Sequence, residues 1–574
     1  MNVGARPPTR VSEALGRRSP IRSRSVDIIV PEEIPVRADS RRVFAVLVVL
    51  ATLHLSSPRA HAEEVAIDPS MSQAEVDSVV HALVAGDVLT VALGDYPGRE
   101  LDLRTTGGAG LVGTQASPIT IRGERGPSGE RPHLIADTDA FQEAVRIRTG
   151  CAFIVLEGLH LSAVGADVQA GIYFDDGVHD ITIRDSEISD VTGIGIQIQT
   201  RDDVHHVVVV DTEIHHTGTN TSSGSNGGQA FTAGGFTSDG ATTGVHHLVL
   251  RHNLVHDTRG QEGDCAKFMY GVYASVMEDN VFYDCPRGVA QDENYGITSY
   301  GSGVGHFTDA ADDNVLRRNL LFRTEGTGAN ETNVAIYAGP GTVVENNLVV
   351  DADIGIAARL EDEANVMRNL RVVNNTVYGT SDHAFSIRGC AGADASVVVA
   401  NNVFAAVRPG AFGYRMPDPL GAMRAEQNHV QGEDYGEASA PVVIAISAPL
   451  DALFASPGSI GADTDFMPLP GSALVDTGAS MLAASDDFDV TARPSGAGPD
   501  VGAYELRADL ASHAAIGPAF KGTSGTDIDY SPRGGSSGCG CAVGGAGEMP
   551  GAHATLVALA AVVIVVARMR RRPI

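Results

Sequence analysis

The chain has 574 residues, 66 of them Gly, no Trp, 43% hydrophobic residues and a formal net charge of −30. That much apolar side chain excludes a wholly disordered acidic tail, and so large an acidic excess excludes a nucleic-acid backbone as the main partner. Residues 1–62 carry ten Arg against five acids and residues 538–574 four Arg against one Glu, so the acidic excess lies in the body between two basic ends.

In chain order, Arg41-Arg42, the apolar run Val43 to Leu55 and the small residues up to Ala62 predict an export leader over 1–62. At ~1.5 Å per residue that run falls short of a ~30 Å hydrocarbon core, so it is not read as a membrane helix. Ser40-Arg41-Arg42-Val43-Phe44 resembles the start of a twin-arginine signal, which leaves both the general and the twin-arginine route open. Ser72-x-x-Glu75 is a capping box, and Val76, Val79, Val80, Leu83 and Val84 follow at helical spacing. A helix over 72–84 is expected to cover the open end of the fold, with the first coil starting at Val88.

One pattern recurs along the body. Alternating apolar residues lead to a polar pair: Asp185-Ser186, Asp211-Thr212, His252-Asn253, Asp279-Asn280, Arg318-Asn319, Asn346-Asn347, Asn374-Asn375 and Asn401-Asn402. From Ser186 the second member steps by 26, 41, 27, 39, 28, 28 and 27 residues, and Gly158 is read as the copy before it. A period near 27 with β-branched alternation suits three short strands per unit, the coil of a parallel β-helix, with stacked Asn residues forming an amide ladder. The high Gly count is assigned to its many turns and to two inserted loops. The fold class is thus all-β, and residues 63–506 form the solenoid, with clear coils about 150–405 and a C-terminal capping segment over 440–506. That segment, with Arg493-Pro494 and Asp500-Val501-Gly502-Ala503-Tyr504-Glu505, resembles the ending common in secreted right-handed parallel β-helix proteins of the pectate-lyase-like superfamily. The resemblance implies a right-handed coil. It names no reaction, because this fold hosts lyases, hydrolases, esterases and binders.

A linker over 507–538 leads to Cys539-Gly540-Cys541, an apolar run from Ala554 to Ala567 and then Arg568, Arg570, Arg571 and Arg572. These features resemble the MYXO-CTERM sorting tail of myxobacterial surface proteins. The resemblance implies a tail over 539–574 with a transmembrane segment at 554–567, processing near the two cysteines, and retention at the cell surface.

The two lengthened steps place insertions near 219–244 and 293–312, flanking a coil that contains Lys267, one of two lysines in the chain. Lys267 is expected on one strand register with Tyr173 and Asp175 on one side and Gln291 and Asp292 on the other. Polysaccharide lyases need a base and a cation that neutralises a uronate carboxylate. Lys267 is the candidate base, assisted by Asp292, with Arg287, Arg359 or Arg388 as neutraliser and Tyr173 and Asp264 at the substrate. Calcium is the cofactor such chemistry takes, with Asp175 and Asp176 as candidate ligands. Residues 94–121 are similar to the opening coils of alginate and chondroitin lyases. However, the Arg-His-Gly that those families place one coil after the Lys reads Gly288-Val289-Ala290 here, and an ion pair of Lys267 with Asp264 or Asp292 is the competing reading. Asp175-Asp176 and Asp202-Asp203 lack the Gly-His-Gly and Arg-x-Lys of polygalacturonase-like hydrolases, so they are read as turn residues.

His205, His206 and His215 recur 41 residues on as His246, His247 and His256, with His179 in the column of His205. They are read as a ladder at a solvent edge, without metal-site companions. Cys265 and Cys285 fall at matching positions on adjacent coils, so a disulfide is expected. The expected function is an exported, surface-anchored, monomeric β-helix that binds or processes an extracellular polysaccharide, lyase-like if it is an enzyme. The alternative is a non-catalytic surface binder or adhesin.

Overall fold

Where every second side chain is apolar, the chain forms a strand whose inner face is buried: Ala152–Glu157 alternates strictly between buried and half-buried positions. The computed structural model describes residues 63–507 apart from 138–142, 166–169, 201–202, 220–227, 236–243, 260–262, 269–271, 286–293, 300–312, 325–332, 360–365, 416–421, 436–442, 447 and 461–463. The leader, the linker and the sorting tail with Cys539 and Cys541 lie outside the described residues. Contacts divide the chain into residues 1–60 and 61–574, and the described residues all belong to the second unit. Among them no helix is long and apolar enough to cross a membrane.

The described strands form three long sheets of 15, 13 and 12 strands, visited in rotation by successive segments. Each strand pairs in parallel with its counterpart one coil away, so the architecture is a parallel β-helix. Inward side chains stack in columns; Leu156, Ile183, Val209, Leu250, Met277, Leu316 and Val344 occupy one of them and are buried. At ~25 cal/mol per Å² such columns supply most of the driving force, since no coil buries its inner face alone.

The corner between the first and second sheets takes two residues in each coil from Gly158-Leu159 to Gln427-Asn428. The first is left-handed: Asp185, Asp211, His252, Asp279, Arg318, Asn346, Asn374, Asn401 and Gln427 have φ of 48–58°. Asp and Asn tolerate this region because a short polar side chain bonds the local backbone. The repeating corner therefore draws on them, with Gly only at Gly158 among these corners, while left-handed Gly98, Gly150, Gly177, Gly341, Gly379 and Gly410 serve other turns. Gly158 stands opposite Asp185, one position before Ser186. The second corner residue builds the ladder: each Asn from Asn253 to Asn402 donates its Nδ2 both to a carbonyl of the preceding coil and to Oδ1 of the next Asn. Asn428 extends it by one coil beyond those read from the sequence.

At the N-terminal end, helix α1 (Gln73–Val80) starts at Ser72 with both halves of the capping box made, and it buries Val76 and Val80. It stops short of the expected 84; a turn follows and delivers Leu83 to the core. Strand Glu64–Ile67, not foreseen, precedes the helix and pairs with Val88–Val91. The C-terminal segment, expected to close the far end, returns along the side of the solenoid. Leu450, Phe454, Phe466, Leu474, Phe488, Val501 and Tyr504 pack on outward residues of the second sheet, Leu254, Val281, Leu320, Leu348 and Val403. Asn346, Asn374 and Asn401 are bonded to it as well. Those five outward side chains are apolar and need a cover, which a cap over the last coil would not provide.

Candidate functional site

The long described segment 104–118 leaves a strand of the third sheet. The positions of that sheet that alternate with the core residues line up as Asp102, Arg146, Tyr173, Gln197, Thr232, Lys267, Tyr337, Ala357, Ser386 and Arg415, with Thr298 in register between Lys267 and Tyr337; Arg146, Tyr173 and Arg415 are partly exposed, and the other described side chains are buried. Lys267 and Tyr173 share this register as expected, but Gln197 and Thr232 lie between them, so they stand roughly 14 Å apart at ~4.8 Å per strand. The position beyond Lys267 belongs to Thr298, not to Gln291 or Asp292, because the strand that follows is Asn294–Ser299. Asp292 and Arg287 lie outside the described residues. Arg359 and Arg388 are strand-register partners two residues past the Lys267 register. Their strands are roughly 14 and 19 Å along the stack from it. No neutralising arginine is placed beside Lys267 among the described residues.

Lys267 itself is buried, and its Nζ lies 3.4 Å from Oδ2 of Asp264, which is fully buried. An ammonium held against a buried carboxylate away from solvent is a structural pair, costly to break from one side. Next to it, Cys265 and Cys285 are joined in a disulfide with Cα atoms 5.7 Å apart, tying two adjacent coils. Of the candidate residues, the structure brings together these two pairs and spreads the others along the face.

At the N-terminal end of the same face Tyr173 lies half-buried beneath Arg146, 5.3 Å from guanidinium to ring centroid. Asp175 is engaged by Arg146 at 3.1 Å and by Arg148 at 3.8 Å, and Arg148 also binds Asp102. Asp175 thus directs its carboxylate at two guanidinium groups, which does not suit the calcium role expected of it with Asp176. Glu100 is pushed up to about 7, by burial first and then by Asp102 and Glu143. Its backbone N–H donates to Gln73 of α1, so it belongs to the helix-to-coil joint.

Two imidazole arrays stand on the other sheets. On the first sheet His179, His205 and His246 are register partners, stacked at 4.9 and 5.0 Å, with Phe153 edge-on at one end and Tyr273 stacked at the other. On the second sheet His215 and His256 stack at 5.0 Å, and His133 and His160 at 3.7 Å. The spacing of about 5 Å was legible from the 41-residue recurrence; the carboxylates were not. Asp180 and Asp203 accompany the first array, and Glu187, Glu213 and Asp257 the second. The overlooked signal is that His179-Asp180 occupies the register of His205-His206 and His246-His247. Burial, then neighbouring imidazoles, hold His205, His246 and His247 below the usual imidazole range. Burial opposes charge on His256, yet Glu213 and Asp257 outweigh it and raise its pKa.

The second array predicts acid sensitivity. Burial lowers His160 from 6.5 to about 4, and the hydrogen bond with His215 lowers Glu187 from 4.5 to about 2. Between pH 6.5 and 4 the unfolded chain binds a proton at residue 160 that the folded chain refuses, so stability falls as pH drops through that window. The loss from Glu187 follows between 4.5 and 2. Melting temperature is expected to decline from pH 7 to pH 4, with a shallower slope in His160→Gln; equal slopes in both proteins count against this assignment.

No family model and no curated protein sequence matches the chain. Among solved structures it is similar to an alginate lyase from Paenibacillus sp., at 16% identity over 63% of this chain and 97% of that one, with a TM-score of 0.37. A pectate lyase matches at 12% identity over 78% and 97%, TM-score 0.37. A lacto-N-biosidase from Eubacterium ramulus matches at 13% identity over 67% and 70%, TM-score 0.38. The fold assignment above rests on strand register and not on these likenesses.

Proposed function

We propose that the chain is an exported, surface-anchored β-helix that holds glycan on its third sheet around Tyr173 and Arg146 and does not cleave it through Lys267. The observation that carries this reading is the half-buried Tyr173 ring beneath the Arg146 guanidinium, with Asp175 and Arg148 beside it: a partly exposed ring among charged hydrogen-bonding groups suits a sugar ring. The buried Lys267–Asp264 pair argues against elimination by that residue. The acidic body favours neutral glycans, with polyuronates bound only when Ca²⁺ screens both partners. The leader and the arginine-flanked tail are the basis for surface anchoring.

Binding of the full chain to a panel of neutral and uronate polymers, with ultraviolet absorbance recorded for unsaturated products, tests this. Retention of a glycan without product is expected. Lys267→Ala leaves affinity within about twofold, whereas Tyr173→Ala, removing a half-buried ring, weakens it roughly three- to tenfold. Unsaturated product that disappears in Lys267→Ala restores the lyase, and no retained polymer removes the glycan.

A further inference from the structure

Three consecutive coils of the first sheet present the same two-residue unit: His179-Asp180, His205-His206 and His246-His247. The second residue of each is left-handed, with φ of 54, 55 and 55°. This backbone kink turns two neighbouring side chains to one surface, where a regular strand would send them to opposite faces. The result is donor atoms facing each other in pairs. Nδ1 of His179 lies 2.8 Å from Oδ2 of Asp180, Nδ1 of His205 lies 2.7 Å from Nδ1 of His206, and Nδ1 of His246 lies 2.5 Å from Nδ1 of His247. The rings of His206 and His247 are stacked at 4.8 Å, so the second column is as continuous as the first.

We propose that His179, Asp180 and His205 form a binding site for a late first-row divalent cation, Zn²⁺ foremost, on a donor surface that His206, His246 and His247 continue. One ligand atom from each of the three core residues lies within 4.8 Å of the others. Donors at ~2.0–2.1 Å from one Zn²⁺ in tetrahedral array stand roughly 3–3.5 Å apart. Small χ rotations of half-buried rings bring the present separations into that range. Two imidazoles with one carboxylate select Zn²⁺, Ni²⁺ or Cu²⁺ over Ca²⁺, which takes oxygen ligands. Asp203 supplies the outer support such ligands use: its Oδ1 is 3.0 Å from Nε2 of His246, and it reaches toward Nε2 of His205 at 3.9 Å. At His246 an Nε2–H donated to Asp203 leaves Nδ1 as the lone-pair atom, the atom turned to His247. Side-chain exposures of 35% for His179 and 25% for His205 leave a path for the ion.

The test uses the full chain, treated with chelator and with its free thiols alkylated, titrated with Zn²⁺ by calorimetry and with Co²⁺ by visible absorption. Micromolar or tighter Zn²⁺ binding is expected, with Co²⁺ bands displaced by Zn²⁺ and unaffected by Ca²⁺. The double variant His179→Gln/His205→Gln, checked by circular dichroism, loses roughly 100-fold in affinity, and Asp203→Asn loses about tenfold. Asp180→Asn gives a separate loss should the double variant fold poorly. The variant His215→Gln/His256→Gln, in the other array, binds as the parent does. The proposal is overturned by absence of Zn²⁺ binding at millimolar concentration, by binding that survives both the double variant and Asp180→Asn, or by loss that follows the His215/His256 variant instead.

Discussion

Replacing Asn347 by alanine is expected to destabilise the solenoid by about 3–5 kcal/mol, since each buried partner left unmade costs ~1–3 kcal/mol. Its Nδ2 donates to the Leu316 carbonyl at 2.8 Å and to Oδ1 of Asn375 at 2.9 Å. Its Oδ1 accepts from the backbone N–H of Asn319 at 3.1 Å and from that residue's Nδ2 at 3.0 Å. One side chain therefore bonds the coil before and the coil after, and alanine strands groups on both. Asn428→Ala provides the internal scale. Asn428 donates to the Val399 carbonyl and accepts from Asn402, all on one side of the stack, so about half the loss is expected. Because coils are coupled mainly to their neighbours, the Asn347 variant should also melt in two steps, splitting the stack at the damaged corner. Denaturant unfolding followed by circular dichroism reads both effects. A loss below about 1 kcal/mol, or equal losses at the two positions, sinks the account of the ladder as a clamp between coils.

That ladder also explains how much was legible in the sequence. Its corner recurs every 26–28 residues in five of seven steps, the first residue meets a local backbone need and the second is Asn in every coil from Asn253 to Asn402, so the sequence pattern reveals them. The capping box at Ser72 and Glu75 is local in the same way. What stayed hidden depends on contacts remote in sequence. The position after each ladder residue faces outward on the second sheet: His160, Glu187 and Glu213 in early coils, then Leu254, Val281, Leu320, Leu348, Thr376 and Val403, with Thr376 accepting from the backbone N–H of Ala503 in the C-terminal segment. The switch from ionisable to mainly apolar marks where the C-terminal segment lies, yet without the register these apolar residues are indistinguishable from inward ones. The same limit applied at Lys267. Its strand register was legible, but the range 293–312 read as an insertion contains the strand Asn294–Ser299, so Asp292 was assigned a position that Thr298 holds. The carboxylate partners of the histidines were missed because Asp180 and His206 are different residue types in one structural role.

The second large effect is expected at Arg493, which ties the returning segment together and reaches the solenoid through Asn346. Arg493 Nη1 is 2.6 Å from Oε1 of Glu505, with side-chain exposures of 1% and 0%. The guanidinium also donates to the carbonyls of Asp486, Asp500 and Gly502 and to Oδ1 of Asn346. Glu505 in turn accepts from the backbone N–H groups of Asp500 and Ser495. Removing one partner of such a pair leaves the other charged and buried, at a cost of about 3–5 kcal/mol. Arg493→Ala is therefore expected to release residues 450–506 as a unit while the coils stay folded, because the coils hold their own ladder and core. Limited proteolysis should cut within that segment and leave a resistant solenoid fragment. Loss of the cover exposes Leu254, Val281, Leu320 and Leu348, so the variant should bind hydrophobic dye and aggregate on warming. Replacing both partners, Arg493→Met with Glu505→Leu, removes the stranded charge and should recover part of the stability. If instead the double variant is no better than Arg493→Ala, the backbone carbonyls that Arg493 gathers, and not its charge pairing, hold the segment in place.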